Sequence, residues 1–303
     1  MAALAPLSFV WLELTGRCQL ACAHCYADSG PGGTHGSMTT VDWIRVIDQA
    51  SELGVRTVQF IGGEPTLHPA LPTLIEHAVS RMLAVEVFSN LVHVTAELWA
   101  VFAQPGVSLA TSYYSDDPGQ HASITGRPSY ARTRANIAQA RRRGIPVRAG
   151  VIDLGQGQRV EQARAELVDL GVGEIGYDRV REVGRGGRGQ ASSAGQLCGR
   201  CGEGVAAIGP DGSVRPCVFT RWVSIGNVHD QGLAEITPAL SVTRDTLIAQ
   251  GMPVDPNGPE CKPQQCIPRG YECYPYNCEP FRPGPPRLRE EAHQHFDDER
   301  CHQ

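Results

Sequence analysis

Apolar runs of strand length at residues 9–14, 57–61, 84–88, 107–112, 147–152 and 174–180 alternate with helix-length segments at 40–53, 71–81, 96–103, 130–143 and 160–170. Gly54, Gly144 and Gly171 stand just past three of those segments, where a helix ends on a left-handed residue. A strand followed by a helix, repeated without interruption, predicts an α/β fold with a parallel sheet and right-handed crossovers. Functional groups are then expected in the loops that follow the carboxyl ends of the strands.

The loop after the first run carries Cys18, Cys22 and Cys25, spaced C-x3-C-x2-C, with Tyr26 directly after the third. A closed structural zinc site takes four protein ligands, whereas a cubane [4Fe-4S] cluster held by three thiolates leaves one iron open. The second run ends in Gly62-Gly63-Glu64-Pro65, where glycines let backbone approach closely and proline fixes the exit of the turn. Taken alone, the triplet also admits zinc. Disulfides are disfavoured, because the opening residues have no basic region ahead of an apolar stretch and that stretch soon meets Glu13 and Arg17.

The chain has 303 residues, enough for one large domain or a large and a small one. A net charge of -5 gives no electrostatic case for nucleic acid or a membrane as partner. Eleven cysteines without an export signal point to metal chemistry in a reducing compartment, and the expected location is cytoplasmic.

Together the triplet, Tyr26 and the Gly-Gly-Glu-Pro segment resemble the radical S-adenosylmethionine (SAM) superfamily. The resemblance implies a partial (β/α)6 barrel of the TIM type and a [4Fe-4S] cluster on Cys18, Cys22 and Cys25 whose open iron binds SAM. It implies SAM contacts from Tyr26, Gly62, Gly63, Glu64 and Pro65, and from Ser89 and Asn90 after the third strand. The strand-end rule adds Ser112 and Arg148, with Asp153 at the rim, and offers residues 113–117 as a pocket wall or an exposed loop. Arg179 or Arg181 is expected near the SAM carboxylate. The glycine- and arginine-rich stretch at 178–189 reads as a mobile linker. His24 is expected to be no ligand, and His68 and His77 to be ordinary surface or turn residues.

Eight further cysteines follow: Cys198, Cys201, Cys217, Cys261, Cys266, Cys273, Cys278 and Cys301. Asp211-Gly212 predicts a hairpin turn that delivers Cys217. Gly212, Cys217 and Ile225-Gly226-Asn227-Val228 are similar to the SPASM or twitch extension of radical SAM enzymes, although the later cysteine spacing departs from its pattern. The resemblance implies a barrel at 1–185 and an auxiliary iron-sulfur domain with a loosely packed tail at 186–303. One or two auxiliary clusters would be ligated from Cys198 to Cys278, with the assignment and the role of Cys301 open.

An enzyme of this kind cleaves SAM to a 5′-deoxyadenosyl radical that abstracts hydrogen from its substrate. The expected substrate is a ribosomal peptide, cross-linked or epimerised, with oxidation or epimerisation of a sugar-like metabolite as the alternative. An electron donor such as flavodoxin or ferredoxin is implied. With the barrel starting near residue 9, a precursor peptide is expected to bind the barrel itself or a separate recognition protein. A non-enzymatic electron carrier or scaffold is the reading from another class, and Gly62 to Pro65 argue against it.

Overall fold

A computed structural model describes residues 6–155 and 157–254. The strands β1 (Phe9–Glu13), β2 (Thr57–Ile61), β3 (Ala84–Phe88), β4 (Val107–Tyr113), β5 (Val147–Asp153) and β6 (Glu174–Arg179) follow one another in space and pair in parallel. Helices α1 (Thr40–Glu52), α2 (Leu71–Ser80), α3 (Ala96–Phe102), α4 (Pro118–Thr125), α5 (Tyr130–Arg142) and α6 (Val160–Asp169) make the crossovers. The sheet stays open, as six strands require. On the far side of β1 it continues through β7 (Val205–Ile208), also parallel, and then antiparallel β8 (Ser213–Arg215) and β9 (Gly226–Asn227). Two further helices, α7 (Leu233–Ile236) and α8 (Ala239–Ala249), close the described chain.

Strand side chains alternate between faces, and the alternation sorts the core. Val10, Leu12, Val58, Phe60, Val85 and Val87 pack with Trp43, Val46, Ile47, Leu71 and Leu74 from the helices. Each such side chain, once buried, contributes roughly 1.5–3 kcal/mol. The opposite register of β1, Phe9 and Trp11, packs with Ile61, Val205, Ala207, Cys201, Cys217 and Leu247. On that same concave side the sheet is polar farther along. Arg148 binds Glu86 through Nε at 2.6 Å and Nη2 at 2.7 Å, and Gln59 donates to Glu86. A buried ion pair of this kind is tolerable because the fork geometry satisfies both partners.

Two features differ from the sequence expectation. Helix α4 follows the 113–117 stretch, in a segment for which no helix was expected. Asp117 caps it by accepting the Gln120 N–H at 2.7 Å, Pro118 starts it and Gly126 ends it at φ 71°. The supposed mobile linker contains an ordered turn, Gly184–Gly187, in which Gly186 and Gly187 are buried.

Candidate active site

The loop from β1 to α1 is fixed by backbone bonds to the neighbouring strand ends. Gly63 N–H donates to Thr15 O at 2.6 Å and Glu64 N–H to Arg17 O at 2.9 Å. A Cβ on Gly63 would lie 2.3 Å from Arg17 O, and one on Gly62, at φ +133°, would lie 2.5 Å from Thr15 O. The two glycines therefore serve close contact between the strand end and the cysteine loop. From the other side, the last carbonyls of α4 accept bonds from that loop: Ala21 N–H to Thr125 O at 3.0 Å and Ala23 N–H to Ile124 O at 3.2 Å. Helix α4 thus matters to the site, and its signals in the sequence are Asp117-Pro118 at its start and Gly126 at its end.

A cavity of about 160 Å³ opens at the carboxyl ends of the strands. Of the residues expected at the site, Cys18, Cys22, Cys25, Tyr26, Gly62, Gly63, Asn90 and Ser112 line it. Asn90 Nδ2 also donates to Cys18 Sγ at 3.6 Å. Glu64, Pro65, Ser89 and Arg148 do not line it. Glu64 is fully buried and accepts the Ser89 hydroxyl, the Asn90 N–H and both donors of Thr66. Arg148 stands near the amino end of β5, below Phe88, whose ring lies 5.9 Å from its guanidinium. Within 113–117, Tyr114 faces the cavity, Tyr113 is buried and Asp116 pairs with Arg159 at 2.6 Å.

Arg179, Arg181 and Arg185 all reach the cavity wall. Arg181 is held by Asp178 at 2.9 Å and by Gln196 O at 3.0 Å. Phe219, two residues beyond Cys217, packs on Tyr26 with ring centroids 5.0 Å apart and brings the hairpin segment to the same space. At that junction Glu13 binds Arg221 at 2.8 Å and also pairs with Arg215. His77 bonds Asp48 at 2.8 Å, whereas His68, expected at a turn or surface, is a buried turn residue. Its Nδ1 accepts the Ala70 N–H.

Burial pushes the thiols of Cys18 and Cys22 up to about 12, with the Glu64 carboxyl adding to the rise at Cys18 and the Cys25 sulfur at Cys22. Thiols so placed give up their protons to a metal that takes the charge. His24 Nδ1, Tyr26 OH and Ser29 Oγ are buried at this cavity without hydrogen-bond partners. Three thiols and three unpaired polar atoms around one space fit a thiolate-held cluster with a polar ligand beside it. Among the described residues no group of three or more His, Cys, Asp or Glu closes around a single metal ion. A cubane places each thiolate on a different iron, so its cysteines stand apart.

Residues 12–169, just over half of the chain, match the radical SAM superfamily. The chain belongs to this superfamily. Residues 198–266 match the SPASM iron-sulfur cluster-binding domain. Membership of the radical SAM superfamily with a SPASM domain implies a [4Fe-4S] cluster, SAM and auxiliary iron-sulfur clusters. The chain is 32% identical over 190 residues to the PqqA peptide cyclase of Xanthomonas campestris pv. campestris, covering 62% of this chain and 50% of that protein. It is 27% identical over 256 residues to the antilisterial bacteriocin subtilosin biosynthesis protein AlbA of Bacillus subtilis, covering 72% and 57%. It therefore spans about half the length of the curated relatives it matches. Streptococcus suis SuiB bound to precursor peptide SuiA shares the fold at TM-score 0.65 and 15% identity, covering 90% of this chain and 75% of that one.

In the SPASM region of this radical SAM protein, Cys201 Sγ lies 2.9 Å from Cys217 Sγ, and Cys198 hydrogen-bonds Cys201. The hairpin of β7 and β8 delivers Cys217 as expected, with Gly212 at φ +79° in its turn. Cys261, Cys266, Cys273, Cys278 and Cys301 lie outside the described residues. Among the described residues no helix is long and apolar enough to cross a membrane.

Proposed function

We propose that this radical SAM protein modifies a ribosomal peptide by an oxidative cross-link. The observation that carries the reading is the position of the cavity. The cysteine loop of residues 18–25 forms one wall, and Phe219, beside Cys217, forms another. A substrate carbon held there would lie between the cysteine loop and the Cys217 segment, whose cysteines would hold an auxiliary iron-sulfur cluster able to take up the remaining electron. The printed names of the relatives, a peptide cyclase and a bacteriocin biosynthesis protein, support a peptide as the substrate class.

Cys18, Cys22 and Cys25 would ligate the cluster, which, reduced by a donor such as flavodoxin or ferredoxin, would with SAM supply a primary carbon radical. Gly62, Gly63, Asn90, Ser112 and Tyr26 would shape the SAM side of the cavity. Glu64, Ser89 and Pro65 would act one layer behind, by fixing the strand-end turns. Ile61, Phe88 and Phe219 supply apolar walls that exclude water from a reactive radical. The barrel would span 1–185, and the auxiliary domain 186–303 would take Cys198, Cys201 and Cys217 with cysteines from 261–278.

The test is anaerobic reconstitution with iron and sulfide, followed by assay of 5′-deoxyadenosine and of candidate precursor peptides encoded beside the gene. A peptide product lacking two hydrogens, without solvent deuterium at the modified carbon, supports the proposal. Incorporated deuterium at unchanged hydrogen count would make the enzyme an epimerase. Cleavage of SAM with no change in any peptide, but turnover of a sugar-like metabolite, would overturn the peptide assignment.

A further inference from the structure

The ordered turn Gly184–Gly187 lies directly against the cysteine loop. Gly184, at φ +57°, leaves no room for a Cβ, which would fall 2.4 Å from Tyr26 O and 2.6 Å from Cys25 O. A Cβ on Gly186 would fall 2.3 Å from Arg181 O. Arg185, between them, makes contacts that bracket Cys25. Its Nε donates to Cys22 O at 2.9 Å, its Nη2 to Ser29 O at 2.7 Å and its own N–H to Cys25 O at 3.0 Å. Nη1 reaches Asp28 Oδ1 at 3.3 Å, a largely exposed contact of little energetic weight. The planar guanidinium spans two carbonyls that a single ammonium could not bridge in the same geometry.

We propose that Arg185 is the positioning residue of the cysteine loop: it fixes the span from Cys22 to Ser29 and sets a permanent positive charge beside the sulfur ligands, governing both retention and reduction potential of the cluster. The inference rests on the assignment of Cys18, Cys22 and Cys25 as the cluster ligands. Reduction adds negative charge to a cluster already carrying thiolates, so a fixed cation close by favours the reduced form. Outer contacts that orient ligands are worth about 10–100-fold in metal affinity or activity when removed. The bonds to loop carbonyls give this arginine a task separate from holding the SAM carboxylate, which the sequence resemblance suggested for its neighbours Arg179 and Arg181.

The test uses the full-length protein as wild type, Arg185→Gln and Arg185→Lys, each reconstituted anaerobically. The electron paramagnetic resonance signal of the reduced cluster that changes on adding SAM identifies the site at Cys18 to Cys25. At a fixed reductant poise, Arg185→Gln is expected to show a reduced-to-oxidised ratio about tenfold below wild type, a midpoint about 59 mV lower for one electron. Arg185→Lys keeps the charge and should hold that ratio within about twofold, but its cluster should bleach in air about tenfold faster because the carbonyl bridge is lost. If Arg185→Gln loses the iron and the reduced signal of that cluster while its circular dichroism is unchanged, the clamp is confirmed in its stronger form. If its circular dichroism is lost as well, Arg185→Lys decides, and wild-type air stability in that variant overturns the proposal. Unaltered potential and stability in both variants, with SAM half-saturation raised tenfold or more, would also overturn it and place Arg185 on SAM. Absence of the SAM-responsive signal in wild type would instead refute the ligand assignment.

Discussion

The Ser89 hydroxyl donates to Glu64 Oε1 at 2.7 Å, so the acid of the Gly-Gly-Glu-Pro segment is bound to the end of the next strand. Its other oxygen accepts the Asn90 N–H at 2.8 Å, and Thr66 supplies two more donors to Oε1. Glu64 thereby sets the turn that presents Asn90 to the cavity.

Glu64→Ala strands those donors in a buried place, where each unsatisfied group costs about 1–3 kcal/mol, and a total loss of about 3 kcal/mol or more is expected by denaturant titration. Ser89→Ala alone should cost about 1 kcal/mol. Because the two side chains share one bond, the double variant should be less destabilised than the sum of the single losses. Strict additivity would show that the bond contributes nothing.

Gly63→Ala forces a methyl group to within 2.3 Å of Arg17 O, in the backbone that leads into Cys18. The expected outcome is destabilisation by about 1–3 kcal/mol with a parallel loss of iron after reconstitution. Gly173→Ala is the control, because its added Cβ meets nothing within 4 Å. Equal iron content in the two variants would remove the close-approach argument.

The strands were legible because each is a short apolar run that ends where polar or glycine residues begin, and β2 and β3 match the expected limits. Helix α4 escaped because Pro118-Gly119-Gln120-His121 shows no apolar period, and its role comes from end carbonyls that no side chain announces. The stretch at 184–187 was misread for a physical reason. Glycine content signals flexibility when the chain is free, but here it permits contact with carbonyls of the cysteine loop. Proximity to a strand also did not reveal facing: Ser112 and Arg148 sit at opposite ends of neighbouring strands, and only Ser112 reaches the cavity.

Cys201→Ala removes a sulfur from the group formed by Cys198, Cys201 and Cys217. One cluster's worth of iron should be lost while the signal that responds to SAM remains. Iron analysis with electron paramagnetic resonance checks this. Loss of the SAM-responsive signal at unchanged circular dichroism would show that the two cysteine groups are not independent.

His68 gives the protein a pH dependence of definite sign. It is buried, its ring lies 5.1 Å from His35, and burial, reinforced by that neighbour, pushes it down from 6.5 to about 4. The unfolded chain therefore binds a proton between about pH 6.5 and 4 that the folded chain refuses, so stability contributed by neutral His68 is complete above 6.5 and lost as pH falls through that window. A shift of this size corresponds to at most about 3 kcal/mol, reduced by the solvent that screens a ring only partly shielded from water. His68→Asn can still accept the Ala70 N–H but cannot take up a proton. In denaturant titrations at a series of pH values, wild type should lose stability relative to His68→Asn toward acid, the difference changing by about 1–3 kcal/mol across the window. A constant difference at all pH values would show that His68 is protonated equally in the folded and unfolded chains.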